Sequence, residues 1–118
     1  MTPPSQALLA RLYSAFNARE IPTLLAAMTP DVSWPNGWEG GVVHGHDEVA
    51  RYWRRQWEQL EPTVVPTAFT TEADGRVAVT VHQVVRDKTG ALLSEHTVTH
   101  VYRFDDGLVA EMEIREPA

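Results

Sequence analysis

The sequence predicts an α+β fold, with helices in the first half of the chain and an antiparallel sheet in the second. Apolar residues recur mostly at helical spacing as far as Leu60, and from Thr63 onward they alternate with polar residues at the period of a strand. Glycine-containing turn sequences separate the strand segments at 74–75, 88–90 and 105–107. Three helices followed by an antiparallel meander account for this order.

The length and composition exclude several classes of protein. At 118 residues the chain is expected to form a single domain, 1–118, around one core. A net charge of −6 with interspersed acids and bases argues against a nucleic-acid partner, which usually requires a basic face. No run approaches the roughly 20 apolar residues that cross a bilayer, and the N-terminus lacks the pattern of a signal peptide. We therefore expect no membrane partner and a cytoplasmic location.

The absence of cysteine limits the available chemistry. Disulfides, thiolate nucleophiles and cysteine-based zinc sites are all excluded. Any reaction must use histidine, carboxylates, tyrosine or water, and no cofactor is expected.

The first half of the chain contains three helical patterns and one short strand. The first helix runs from the Pro3-Pro4-Ser5 start signal to about Arg19 and places its apolar residues on one stripe. A short second helix follows Pro22 and is expected to stop at 29–30, because the residue before a proline is disfavoured in the helical region. Residues 31–34 then read as a first strand. A third helix begins near 46–48, with acids in its first turn, and is expected to end at Pro62.

Four strands are predicted in the second half, at about 63–73, 76–87, 91–104 and 108–115. In the last strand the even positions are apolar and the odd positions are charged, so the even set must face the interior. A three-residue loop at 105–107 would place His100 opposite Met112, facing inward, whereas a two-residue turn would place His100 on the charged face, which the apolar pattern disfavours. The same loop pattern at 88–90 pairs His82 with His96. On that register all three histidines share the inner face.

A break in the first strand suggests a pocket. The stretch DVSWPNGWEGGVVHG, residues 31–45, places Trp34 and Trp38 on either side of a Pro-Asn-Gly turn sequence. Two large rings at a broken strand are typical of a pocket wall or mouth. Asn36 can donate and accept hydrogen bonds, so it could orient a carbonyl or hydroxyl of a ligand, although the same triplet is also ordinary turn chemistry.

The order of these elements resembles the nuclear transport factor 2-like superfamily, which includes the ketosteroid isomerase-like and SnoaL-like polyketide cyclase domains. The resemblance is carried by LARLYSAFNAREIPTLLAAMTPDVSW, VHGHDEVARYW and THVYRFDDGLVAEMEI, which together cover nearly the whole chain. It implies a cone-shaped domain in which a strongly curved antiparallel sheet wraps three N-terminal helices around an apolar pocket. Dimers through the outer sheet face are common in the superfamily. Because this fold hosts many activities, function must be argued from the site.

The resemblance to the steroid isomerases does not extend to their catalytic residues. Asn36 stands at the position that resembles their catalytic aspartate, and an amide cannot act as a base at neutral pH. His100 stands where their oxyanion-hole aspartate would be, and Leu12 where their oxyanion tyrosine would be, with Tyr13 beside it. The resemblance therefore implies no steroid isomerase activity by the usual Asp/Tyr mechanism.

Histidines on the sheet are the main candidates for catalysis. His82 and His100 could exchange protons near neutral pH, or could be buried histidines bonded to protein groups. The expected contacts to substrate come from a larger set of residues, namely Trp34, Asn36, Trp38, His96, Tyr102 and Met112. Metal binding is not expected, because His96 and His100 lie roughly 13 Å apart along one strand and a third ligand is missing for His82 and His96.

Two functions remain open from the sequence. The first is a cofactor-free isomerase or dehydratase that acts by histidine proton transfer on a small, apolar, oxygenated molecule. The alternative is a non-catalytic ligand-binding or dimerisation module of the same fold. We also expect a homodimer through the outer sheet face, because Val77, Val79 and Val81 would form an exposed apolar stripe there in a monomer.

Overall fold

A computed structural model of the chain describes residues 4–37 and 40–115. Helices and strands follow one another in the order α1 (Pro4–Asn17), α2 (Ile21–Ala26), β1 (Met28–Pro35), β2 (Val42–His44), α3 (Gly45–Gln59), β3 (Leu60–Thr71), β4 (Val77–Asp87), β5 (Leu92–Asp105) and β6 (Leu108–Arg115). The strands form one curved sheet in the order β2-β1-β6-β5-β4-β3, and the helices cover its inner face. The predicted α+β class is confirmed. Within the described residues, no helix is long and apolar enough to span a membrane.

The first strand is longer than predicted and takes part in a parallel pair. β1 begins at Met28, so the second helix ends at Ala26 rather than at the Thr29-Pro30 pair. β1 pairs antiparallel with β2, a short strand that the sequence did not reveal, and parallel with β6. The register between β1 and β6 shifts between Met28 and Ser33, which lets the strand include Pro30 although proline has no N–H to donate. The four strands of the predicted meander pair antiparallel, and β1 joins them through this parallel pair, which was not predicted.

The third helix ends before the predicted proline. Its last residue is Gln59, Leu60 is already extended, and Pro62 lies inside β3. β3 is at the edge of the sheet and pairs only with β4, so the missing N–H of Pro62 leaves no gap in a second ladder. Pro62 lies outside the helix, as predicted, but the strand expected from about residue 63 already begins at Leu60 and includes it.

A bulge in β5 moves His82 to the outer face of the sheet. The turn is as predicted, since the Asp87 amide donates to the Ala91 carbonyl at 2.9 Å. Arg86 then pairs with Leu92 but Val85 pairs with Ser94, so Leu93 is an extra residue in β5. Beyond it every pair is shifted by one position, and a one-residue shift reverses the face of every side chain. His82 consequently pairs with Thr97 rather than His96, and its predicted inward orientation is wrong.

The last hairpin combines a two-residue turn with a second bulge. Asp105 pairs with Leu108 across a turn whose central residues Asp106 and Gly107 both have positive φ, as this tight hairpin turn requires. The register then shifts by one residue at Ala110. The predicted three-residue loop is therefore wrong. The bulge nevertheless gives the residues of β5 beyond it the orientation that this loop would have given them.

His100 consequently points inward, as predicted, although for a different structural reason. It lies opposite Ile114, while Met112 lies opposite Tyr102. The shorter turn and the bulge each shift the register by one residue, so together they leave the inward orientation of His100 unchanged.

The valine stripe that motivated the homodimer prediction faces the interior. Val77, Val79 and Val81 are 4%, 0% and 0% exposed and belong to the core. On the outer face the Arg115 guanidinium makes a bidentate ion pair with Glu72, at 2.9 and 3.1 Å. Homodimer formation stays a prediction, and this stripe no longer supports it.

The Asn17 side chain links the end of α1 to β3 through two hydrogen bonds. The Asn17 Nδ2 donates to the Val64 carbonyl at 2.7 Å, and the Val64 amide donates to Asn17 Oδ1 at 2.9 Å. The carboxamide thus satisfies both backbone groups of Val64 on the free side of the edge strand. This contact sets the distance between α1 and the sheet at one end of the structure.

We expect Asn17→Ala to lower the free energy of unfolding by about 2 kcal/mol, because two backbone groups lose their partner. Amide exchange of Val64 should accelerate together with this loss, as measured by hydrogen–deuterium exchange. Asn17→Asp keeps the acceptor for the Val64 amide but cannot donate to the Val64 carbonyl. Its free energy of unfolding should therefore lie between those of the wild-type protein and Asn17→Ala. Unchanged protection of the Val64 amide in Asn17→Ala would contradict this role.

Candidate functional site

The helices and the inner face of the sheet enclose a cavity of about 590 Å³. Its inner part is lined by buried and mainly aromatic side chains from α1, β1, α3 and β5, namely Leu12, Tyr13, Trp34, Trp53, His100 and Tyr102. The lining formed by described residues includes no aspartate, glutamate, lysine or arginine. This volume is sufficient for a small organic ligand.

Three buried side chains form a hydrogen-bonded chain at the inner end of the cavity. The Tyr102 hydroxyl donates to the Tyr13 hydroxyl oxygen at 2.7 Å. The Tyr13 hydroxyl and His100 Nδ1 are 2.8 Å apart. The Tyr13 and His100 rings are also nearly parallel, with centroids 5.9 Å apart and an interplanar angle of 11°. The three groups therefore hold one another in fixed orientations.

The direction of this chain determines the tautomer of His100. Because Tyr13 accepts the proton of Tyr102, its own proton is directed to His100 Nδ1. A neutral imidazole that accepts at Nδ1 carries its proton on Nε2. His100 is therefore a hydrogen-bond donor at Nε2.

Burial keeps His100 neutral. The side chain is 6% exposed, and desolvation of the charged form lowers the pKa of His100 from 6.5 to about 4. Burial also raises the pKa of both tyrosines, and the proximity of the Tyr102 hydroxyl further raises the pKa of Tyr13. Near neutral pH the chain of three groups carries no charge and presents a neutral donor.

The predicted aromatic wall of the pocket lies in part among the residues that the structure describes. Trp34 is buried and packs edge-on against Trp53, with ring centroids 5.5 Å apart, and both line the cavity. Met112 also lines it. Trp38, which was expected to contact substrate, lies outside the described residues.

Asn36 lines the cavity and also forms part of the turn that the Pro-Asn-Gly sequence predicts. It is 7% exposed and contributes to the lining. Its amide donates to the Gly41 carbonyl at 2.9 Å, and its carbonyl accepts from the Gly40 amide at 2.9 Å, so its backbone closes the loop that connects β1 and β2. The interpretation of the Pro-Asn-Gly sequence as a turn is confirmed, and contact of Asn36 with a ligand stays a prediction.

The remaining predicted histidines do not join His100. His96 lines the cavity but is exposed, four residues along β5 from His100. His82 lies on the outer face, 42% exposed, with Nε2 2.9 Å from Glu95 Oε2. The predicted catalytic pair of His82 and His100 is therefore not brought together in this cavity. In the described part of the chain, no three histidine or carboxylate side chains cluster as metal ligands would.

Tyr13 is the site residue that sequence reasoning did not select. Tyr102 was expected to contact substrate, whereas Tyr13 was noted as the neighbour of Leu12. The helical spacing contained the signal, since Tyr13 lies four residues after Leu9 and three before Phe16 on the apolar stripe of α1. An apolar helical face wide enough for Leu12 and Tyr13 admits both side chains to the cavity.

Comparison with known proteins supports the fold and the family. The model of the SnoaL-like domain matches residues 9–112. No curated protein matches the chain significantly. Among solved structures, an NTF2-like protein of unknown function from Burkholderia pseudomallei is 28% identical, with a TM-score of 0.85 over 98% of this chain and 92% of that one. TerC, co-crystallised with polyporic acid, is 25% identical, with a TM-score of 0.83 over the same shares of the two chains.

A more distant structure has the same fold. A protein from Mycobacterium tuberculosis in complex with estradiol-17β-hemisuccinate is 18% identical, with a TM-score of 0.83 over 98% of this chain and 95% of that one. The family model covers most of the chain, including the three residues of the hydrogen-bonded chain in the cavity. The chain therefore belongs to the SnoaL-like domain family within the nuclear transport factor 2-like superfamily.

Proposed function

We propose that this protein binds a small, largely apolar molecule in its cavity and recognises an oxygen atom of that molecule through His100. The observation that carries the proposal is the chain from Tyr102 through Tyr13 to His100, which fixes Nε2 as a neutral donor at the inner end of an apolar cavity. A carbonyl or hydroxyl oxygen is the natural acceptor for such a donor. The ligand-bound structure of TerC, a relative at 25% identity, supports binding of an organic molecule.

Binding is favoured over the isomerase or dehydratase alternative by the absence of a suitable base. Proton abstraction requires an acceptor within hydrogen-bond reach of the reacting atom. His82 is outside the cavity, and the cavity lining formed by residues 4–37 and 40–115 contains no carboxylate. With a pKa of about 4, His100 is a weak base and a better donor than acceptor. The site can polarise a carbonyl but has no described partner to remove a proton from it.

Binding of biphenyl and 4-hydroxybiphenyl tests this proposal, since the two molecules differ by one hydroxyl. We expect the wild-type protein to bind 4-hydroxybiphenyl about fivefold more tightly, because one net hydrogen bond contributes about 1 kcal/mol. NMR titration of 15N-labelled protein would measure both dissociation constants and the accompanying shift of His100 Nε2.

Two variants at one position provide the matched control. His100→Leu should show a smaller preference for 4-hydroxybiphenyl than the wild-type protein does, while His100→Gln, whose amide retains a donor, should keep more of the preference. Equal affinity of the wild-type protein for the two molecules, or no binding of either, would overturn the proposal.

A further inference from the structure

A second group of polar side chains lies at the outer end of the same cavity. Gln83 and His96 face each other directly across β4 and β5, and Ser94 lies one pair further along. Gln56 approaches from α3, and all four side chains contribute to the cavity lining. They are half-buried or exposed, in contrast to the buried residues around His100, which places them at the mouth.

An apolar band separates this polar mouth from the inner donor. The pair between them on the same face of the sheet is Val81 and Val98, which are 0% and 2% exposed. Since four residues of an extended strand span about 13 Å, His96 and His100 lie roughly that far apart along β5. The cavity thus has two polar ends and an apolar middle.

The polar groups at the mouth are available for a ligand. Gln83, Ser94 and His96 make no side-chain hydrogen bond to any residue in the described part of the chain. Inside a cavity, a bound apolar group would cover these atoms and remove their water without replacing it, which weakens binding for each polar group left unpaired. A ligand that brings its own polar atom to the mouth avoids this cost.

We propose, on the basis of the function proposed above, that the cavity selects an elongated molecule with a hydrogen-bonding oxygen at each end of a rigid apolar body. One oxygen accepts from His100 Nε2, and the other bonds to Gln83 and His96 at the mouth. The described lining contains no lysine or arginine, so it offers no permanent positive charge to a carboxylate or phosphate, which favours a neutral ligand. The ligand class is therefore a neutral diol, hydroxyketone or dione with an aromatic or polycyclic body.

The comparison of 4,4′-dihydroxybiphenyl with 4-hydroxybiphenyl tests the second polar end. Both molecules can enter the cavity in either direction, but only the diol presents a hydroxyl to both ends at once. The additional hydrogen bond should contribute about fivefold, so we expect the wild-type protein to bind the diol about fivefold more tightly. Isothermal titration calorimetry or NMR titration would give the ratio of the two dissociation constants.

A double variant at the mouth and a variant on the outer face provide the contrast. In Gln83→Leu/His96→Leu the ratio should fall to about twofold, because 4-hydroxybiphenyl then makes its hydrogen bond in only one of its two orientations. His82→Leu, one position from Gln83 but on the opposite face, should retain the fivefold ratio of the wild-type protein. Circular dichroism would confirm that the variants are folded.

The possible outcomes separate this inference from the proposed function. A ratio of about two in the wild-type protein, or a fivefold ratio that persists in the double variant, overturns the two-ended ligand while leaving recognition by His100 intact. Failure of both molecules to bind overturns both proposals.

Discussion

Replacement of Tyr13 by phenylalanine should lower the free energy of unfolding by about 3 kcal/mol. The Tyr13 hydroxyl is the middle member of the buried chain, accepting from Tyr102 and donating to His100 Nδ1. Its removal leaves two buried polar groups without their partner, and each such group costs about 1–3 kcal/mol. Urea denaturation followed by tryptophan fluorescence would measure the loss.

Tyr102→Phe is the matched control for this prediction. It removes only the terminal donor and leaves the hydrogen bond between Tyr13 and His100 in place, so its cost should be about 1 kcal/mol. A cost for Tyr13→Phe equal to or smaller than that for Tyr102→Phe would contradict the proposed order of the chain.

Acidification should destabilise the protein through His100 before most carboxylates titrate. The folded-state pKa of about 4 lies below the ordinary value of 6.5, so the unfolded state binds a proton more readily than the folded state does. The stabilisation is fully present above about pH 6.5 and is lost as the pH falls toward 4. A shift of this size corresponds to about 3 kcal/mol.

The pH dependence of unfolding in His100→Gln isolates this effect. Its free energy of unfolding should vary about 3 kcal/mol less than that of the wild-type protein over the same pH interval, as measured by urea denaturation at several pH values. His82→Gln, which removes an exposed histidine from the outer face, should leave the wild-type profile nearly unchanged. Parallel profiles for the wild-type protein and His100→Gln would show that burial of His100 does not couple folding to pH.

The two hairpins show why the orientation of the histidines could be predicted only in part. Each β-bulge adds one residue and reverses the facing of the strand beyond it. In the hairpin of β4 and β5 the turn was predicted correctly, and the bulge at Leu93 made the orientation of His82 wrong. In the following hairpin a different turn and a bulge compensated each other, so that His100 faced inward as predicted. No local sequence signal distinguished these cases.

Two prolines also show which features the local sequence predicts and which depend on the assembled sheet. Pro30 and Pro62 correctly indicated that a helix cannot continue through them, yet both lie within strands. Whether a proline can join a strand depends on whether its missing N–H would face a neighbour. That is a property of the assembled sheet: a register shift accommodates Pro30, and the sheet edge accommodates Pro62.

The sequence by itself determined the α+β class, the order of helices and most strands, and the inward position of His100. Periodicity and turn composition specify these features because they act over a few neighbouring residues. Only the tertiary structure decided that Tyr13 and His100, 87 positions apart in the chain, share a hydrogen bond. It also decided that His82 faces outward, because bulges and long-range contacts depend on how the whole sheet packs around the helices.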